Sequence, residues 1–439
     1  MKLTIHRGTK EIGGSCVELQ TATTRLVMDL GLPLVDAQRE PFDSRSALAK
    51  PMDILKAEGV IPPIPGLFDS NHDEPDGILL SHAHLDHTGL LPLSRKTVPI
   101  FTTSGTSKMM LAAGVFAAQT ELDRTRFREV VSQRPFNIGN CKVTSLAVDH
   151  SIYGSVAFLI EAEGKTILYS GDFRNHGRKP GMLRDLLKHL KAKPVNVLIV
   201  EGTHFGSEKE RGLTEYQLED RIFELVKTAP ALVLATFSAL DVDRIVTLFK
   251  AAKKAGRVFV VDPYTAFVFH LIGKESKTPN LNMGIRVFYN HLFERRKSLK
   301  NLGEKFKSAR IELSEILAQP SKYLMVFRPT MTKFDFNEQL PAHCRCLYGY
   351  WGGYLGKPDW VALKDHIAKV GGDFVPAHVS GHAYIRDIVK FVNSVNAKTV
   401  IPIHTFEPQM FQQHFSNVRM LTDGVPFELE QSLEMQPCN

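Results

Sequence analysis

The sequence predicts an α/β protein in which a second α/β unit is inserted into the first. Three observations carry this expectation. In the first two hundred residues, short β-rich apolar runs end abruptly in polar residues able to bind metal or phosphate. From about residue 206 helices and strands alternate, and the helices carry basic faces. Near Gly371-Gly372 the first pattern returns. A chain of 439 residues that is 43% hydrophobic is also too long for one comfortable compact unit.

Taken in order, Arg25 to Met28 precedes Asp29 in RLVMDLG, and Gly77-Ile78-Leu79-Leu80 runs into Ser81-His82. Val143 to Val148 runs into Asp149-His150, Thr166 to Tyr169 into Gly171-Asp172, and Val195 to Val200 into Glu201. Buried strands with chemistry at their carboxyl ends are expected. Further on, Val242, Ile245, Val246 and Phe249 follow i, i+3, i+4, i+7, which predicts a helix over 241–255 between two parallel strands, ALVLAT and RVFVVD. After 372 come DFVPAHVSGH, a helix with Ile385, Ile388, Val389 and Val392 on one face, and TVIPIH. The expected division is 1–205 with 372–439 as one domain, and 206–371 as the insertion.

Composition excludes some classes. No apolar run approaches the roughly 18 residues of a membrane span, and MKLTIHRGTK lacks the apolar stretch of a signal peptide. A cytoplasmic protein with no membrane partner is expected. The five cysteines (Cys16, Cys141, Cys344, Cys346 and Cys438) are scattered, as where thiols stay reduced, and Cys344 and Cys346 read as bland. Net charge is +7, with Arg295, Arg296, Lys297, Lys300, Lys305, Lys307 and Arg310 close together. Such a balance favours polyanions, although a solvated helix face explains that segment equally well.

His82-x-His84-x-Asp86-His87 is the sharpest signal, because alternate residues at a strand end share one side and one cation. Imidazole with carboxylate suits zinc, and also manganese. His150, Asp172 and His404 sit at other strand ends, so seven ligands suffice for two divalent metal ions with Asp172 between them. Two cations about 3.5 to 4 Å apart hold a bridging hydroxide and neutralise a phosphoryl oxygen during in-line attack. Hydrolysis is the natural chemistry.

The order HAHLDH, VDHS, SGDF resembles the metallo-β-lactamase superfamily, an αββα sandwich with metals at one edge of two packed sheets. EGTHFG, VSGHA and VIPIHTF, with a long insertion between the first two, resemble the β-CASP nucleases. EIGGSCVEL, TFSALDVDRI and HVSGHA are similar to the ribonuclease J branch. The resemblance implies that His82, His84 and His150 hold one metal, Asp86, His87 and His404 the other, and Asp172 both. It implies that Asp29 orients ligands from behind, and that Glu201 and His382 form an acid pair for the leaving group. Asp86, Glu201 and His382 are thus the catalytic candidates. Two departures stand out: about 35 residues follow His404, so the extra C-terminal domain of ribonuclease J is not expected, and PIHTF replaces its usual PxHGE.

The residues themselves leave alternatives. Glu201 reads also as an ordinary strand-end carboxylate, and His382 as a loop histidine before a helix near Ala383. Ser380-Gly381-His382 at a helix start, and Ser238 after ALVLAT, are candidate phosphate sites or plain caps. Tyr348, Tyr350, Trp351 and Tyr354 read as base-stacking or as packing between the units. The expected function is hydrolysis of single-stranded RNA to 5′-phosphate products, endonucleolytic or from the 5′ end. The alternatives are a DNA nuclease of the same architecture and a small-molecule metallo-hydrolase. His404 favours RNA, because the DNA-directed branch usually lacks that histidine. Oligomerisation is left open.

Overall fold

The computed structural model describes residues 1–429 apart from 37, 118, 121, 192, 208 and 209. Cys438 lies outside the described residues; Cys16, Cys141, Cys344 and Cys346 are free and buried. Among the described residues no helix is long and apolar enough to cross a membrane.

Three sheets organise the described residues. The first runs Phe427–Glu428, Lys2–Arg7, Cys16–Gln20, Arg25–Met28, Gly77–Leu79, Ile100–Thr103 and Phe127–Val130. The second runs Thr399–Ile403, Val197–Glu201, Lys165–Tyr169, Val156–Ala162, Cys141–Ala147 and Phe136–Ile138. Side-chain alternation explains how they stack. Leu26 and Met28 join Ile167, Val197, Ile199 and Ile401 in a core between the two sheets, while Val27 faces the opposite side with Leu55 and Leu90. On the second sheet Leu198 and Val200 turn outward, onto the helices Gly181–Leu190 and Ile385–Val395. Helix, sheet, sheet, helix is the resulting order, as expected.

The third sheet is wholly parallel: Arg310–Ile311, Arg286–Phe288, Val258–Val261, Tyr323–Val326, Val233–Thr236, Arg345–Tyr348 and Asp373–Pro376. Helices cover both faces, as parallel sheets require. Leu218, Ile222 and Ile245 cover one, and Ile316, Leu363 and Ile367 the other. The helix expected over 241–255 is Val242–Lys254, capped by the Asp241 side chain. Two expectations shift. Asp373–Pro376 pairs with Arg345–Tyr348, so the third sheet extends past residue 371. The helix expected near Ala383 starts at Ile385, so Ser380-Gly381-His382 precedes it as loop. The core of the third sheet also takes in Ala83, Met109, Ala112 and Ile152, which joins it to the rest of the molecule through apolar contact.

Candidate metal centre

Arg25–Met28, Gly77–Leu79, Lys165–Tyr169, Val197–Glu201 and Thr399–Ile403 run in parallel registers within their sheets and end on one edge. Asp29, His82, Asp172, Glu201 and His404 are therefore delivered to one place by strand ends, and His150 follows Cys141–Ala147 to join them. Asp86 and His87 come from the short helix Leu85–Thr88.

The ligand atoms fall into two groups. His82 Nε2 and His150 Nε2 each lie 3.1 Å from His84 Nδ1. Three imidazole nitrogens aimed at one point leave lone pairs that a cation can share. In the second group, His87 Nε2 is 3.1 Å from Asp172 Oδ2, and His404 Nε2 is 3.2 Å from Asp86 Oδ2. Asp172 Oδ2 is also 3.6 Å from His82 Nε2, which puts one oxygen between the two groups. All the donor atoms of each group lie within 4.8 Å of one another.

The opposite sides of the rings test whether these residues fit metals. His87 Nδ1 is 2.7 Å from Asp29 Oδ2, and His82 Nδ1 is 3.0 Å from Ser81 Oγ, whose hydroxyl donates to Asp29. His150 Nδ1 donates to Gly381 O at 2.6 Å, and His404 Nδ1 is 3.0 Å from Thr203 Oγ1. Each such partner fixes the ring so that the other nitrogen faces the cluster, the arrangement that tunes metal ligands. Protonation states agree in the first group. Burial and neighbouring imidazoles hold His82 and His150 well below the ordinary histidine value, and burial takes His84 down to about 4. Burial opposes charge on Asp172, yet His404, His87 and His382 outweigh it and keep the carboxyl ionised. Neutral imidazoles and ionised carboxylates are what a cation needs; His87 is the exception, since against burial Asp172, Asp29 and Asp86 raise it well above the ordinary histidine value, so binding there must release a proton. The fit is good.

Asp29 and His404 have positive φ, 56° and 55°, where non-glycine residues are uncommon. Asp29 uses that bend to receive Ser81 N at 2.7 Å and the Tyr169 hydroxyl at 2.7 Å. Gly31 permits another close approach, since a Cβ there would lie 1.7 Å from the Asp86 carbonyl oxygen.

Beside the cluster, His382 Nδ1 lies 3.3 Å from Glu201 Oε2 and 3.1 Å from Thr203 Oγ1. Burial works against a charged ring, but Glu201 and Asp172 overcome it and raise His382 to about 9. Glu201 is fully buried and also accepts from Phe173 N and Ala383 N. Ser380 Oγ accepts from His382 N and lies 2.8 Å from His204 Nε2. Ser238 is not brought in: its hydroxyl accepts from Leu240 N at 3.3 Å, a local turn, and Asp241 caps the helix that follows. Sequence reasoning missed Thr203, Tyr169 and Ser81, although Ser81 directly precedes HAHLDH and Thr203 stands inside EGTHFG. It also missed Arg174, which is fully buried between Asp149, Asp243 and the Ser380 carbonyl. A lone arginine in the sequence announces no such partners.

Residues 59–248 match the family model of the beta-lactamase superfamily domain, and residues 374–419 match the Zn-dependent metallo-hydrolase RNA specificity domain. The chain thus carries a metallo-β-lactamase superfamily domain, and with the RNA specificity domain it is ribonuclease J-like. It is 24% identical to ribonuclease J of Mycolicibacterium smegmatis, over 92% of this chain and 68% of that one. It is 23% identical to the probable RNase MJ4 of Methanocaldococcus jannaschii, over 93% and 94%. Other ribonuclease J relatives are spanned over as little as 56% of their length. A crystal structure of a protein of unknown function from Enterococcus faecalis shares the fold, with a TM-score of 0.79 at 21% identity over 98% of this chain and 99% of the other. The superfamily's metallo-hydrolase character agrees with the donor set, which suits divalent metals.

Proposed function

We propose that this protein is a metal-dependent ribonuclease that hydrolyses single-stranded RNA with two divalent cations, zinc by donor type. The observation that carries this reading is the single Asp172 oxygen shared between two converging ligand groups. His82, His84 and His150 would hold one cation, Asp86, His87 and His404 the other, and Asp172 both. Bound there, the cations supply an activated water and neutralise charge on the phosphoryl oxygens. Asp29, Ser81 and Thr203 hold the ligand rings in place. Glu201 takes the Nδ1 side of His382, which leaves Nε2 as the nitrogen that would donate to substrate. From it the proton passes to the departing 3′ oxygen, leaving a 5′-phosphate on the downstream product. Residues 206–371, with the edge strand to 376, form the inserted unit of this reading, and Ser380 is retained as a phosphate contact beside His382.

RNA labelled at one end or the other, incubated with protein as purified, after chelation and after zinc or manganese return, tests the reading. Cleavage should vanish with chelation, return with metal and leave 5′-phosphate ends. Efficient cleavage of DNA with RNA left intact would overturn the substrate, and chelator-resistant cleavage would overturn the metal role.

A further inference from the structure

The sequence offered two uses for the aromatic cluster at 348–354, and the structure divides them by residue. Tyr348 is buried, its ring centroid 5.1 Å from that of Trp360, and the Tyr350 hydroxyl donates to Phe237 O at 2.6 Å. These two pack. Trp351 and Tyr354 do not: they are 56% and 36% exposed, with ring centroids 5.5 Å apart at 89°.

The segment that carries them has a fixed base. Tyr348 O accepts from Ala377 N at 2.7 Å, and Gly349 O accepts from Arg244 Nη1 at 3.2 Å and from His378 Nδ1 at 3.0 Å. Ala377 and His378 lead straight into Ser380-Gly381-His382, so the segment starts at the border of the acid pair. The Tyr348 hydroxyl then donates to Trp351 O at 3.0 Å. Gly353 leaves the indole room to lie close over the turn, since a Cβ there would come within 2.1 Å of the ring. Lys357 Nζ sits 4.5 Å from the Tyr354 ring centroid. An indole held in water on an anchored, glycine-rich turn forgoes the burial that a packing role would give it. A flat partner with a negative backbone would restore that burial and meet Lys357.

We propose that Trp351 and Tyr354 form a stacking platform for a nucleobase of the RNA strand whose phosphate reaches the metal cluster, an inference that rests on the ribonuclease reading. Stacking is tolerant of base identity, so the platform would set affinity and register rather than sequence preference.

The test uses the full chain and a short single-stranded oligoribonucleotide, intact or with abasic ribose in place of its bases. Intact RNA should quench tryptophan fluorescence of the unaltered protein, abasic RNA should not, and the quenching should be lost in Trp351→Phe, which keeps Trp360. Replacing Trp351 and Tyr354 together by alanine should weaken binding of intact RNA by about 5- to 100-fold and change abasic binding far less. Equal quenching by abasic RNA, or undiminished affinity of the double variant for RNA that the unaltered protein binds and cleaves, would overturn the platform and leave the ribonuclease reading standing. An unaltered protein that neither binds nor cleaves RNA would overturn that reading, and the platform with it.

Discussion

His382 sits between two carboxylates, Glu201 at 3.3 Å and Asp172 at 3.7 Å, and one of these also belongs to the metal cluster. Glu201, His382 and His404 themselves converge closely enough to hold a cation, so acid and ligand must be separated by experiment. His382→Ala is expected to keep both metals and lose about 10² to 10⁴ in turnover. Glu201→Gln should reproduce part of that loss, with the double variant less than additive. On a diester with a nitrophenolate leaving group, which departs without a proton, the defect should shrink. Metal loss in the variant, or equal defects on both substrates, would make His382 a ligand or anchor. A second residue-scale prediction concerns Gly31. Gly31→Ala must push away the Asp86 backbone, and metal content after dialysis should fall by roughly the 10- to 100-fold in affinity typical of disturbed ligand support. Unchanged metal retention would show that the backbone relaxes at no cost to Asp86. That these residues converge was legible in the sequence because a strand end fixes where a side chain goes. Of the residues behind them Asp29 was expected from the resemblance, but Thr203 was not, since it meets His404 across 201 positions and nothing local in either residue records the pairing.

Elements are joined by buried ion pairs. The helix Glu215–Thr228 opens with a capping box formed by Thr214 and Gln217, and its first residue points inward. Glu215 accepts from Arg244 Nε at 3.0 Å and Thr247 Oγ1 at 2.8 Å, and is fully buried. Burial works against its charge, but Arg244 and then Arg174 overcome this and hold it down to about 2. Because the folded-state value lies below the ordinary 4.5, its stabilisation is complete above 4.5 and fades as pH falls toward about 2. Glu215→Gln should therefore cost about 3 to 5 kcal/mol at neutral pH, with a smaller difference from the unaltered protein at pH near 3. Denaturant unfolding at the two pH values measures it, and a constant difference would place the acid sensitivity elsewhere. At this scale Val242–Lys254 and the site strands were readable from periodicity. Asp373–Pro376 was read with the returning strand pattern, but not the sheet it joins, because its partner strand was chosen by the topology of the third sheet. Phe127–Val130 and Phe136–Ile138, short edge strands with exposed residues, carry little pattern.

Across the whole molecule, a net charge of +7 predicts that RNA binding weakens steeply with salt. The basic stretch from Arg295 is exposed, but Arg310 pairs with Glu294 and Glu312, and Lys307 with Glu304. Replacing Arg295 and Lys297 by alanine should lower the slope of log affinity against log salt by about 0.7 for each phosphate that these side chains neutralise, and an unchanged slope would mark them as bystanders. The change and return of pattern along the sequence is what suggests the nesting, and Asp373–Pro376, which follows that return, pairs with the third sheet. That nesting also orders events in time. A ribosome makes His82, His84, His150 and Asp172 well before the insertion, and His404 only after it. The strand Thr399–Ile403 must then dock beside Val197–Glu201, nearly two hundred residues older. On the proposed reading, the residues of the first metal group all precede the insertion, whereas the second group waits for His404, so the centre would mature in two steps.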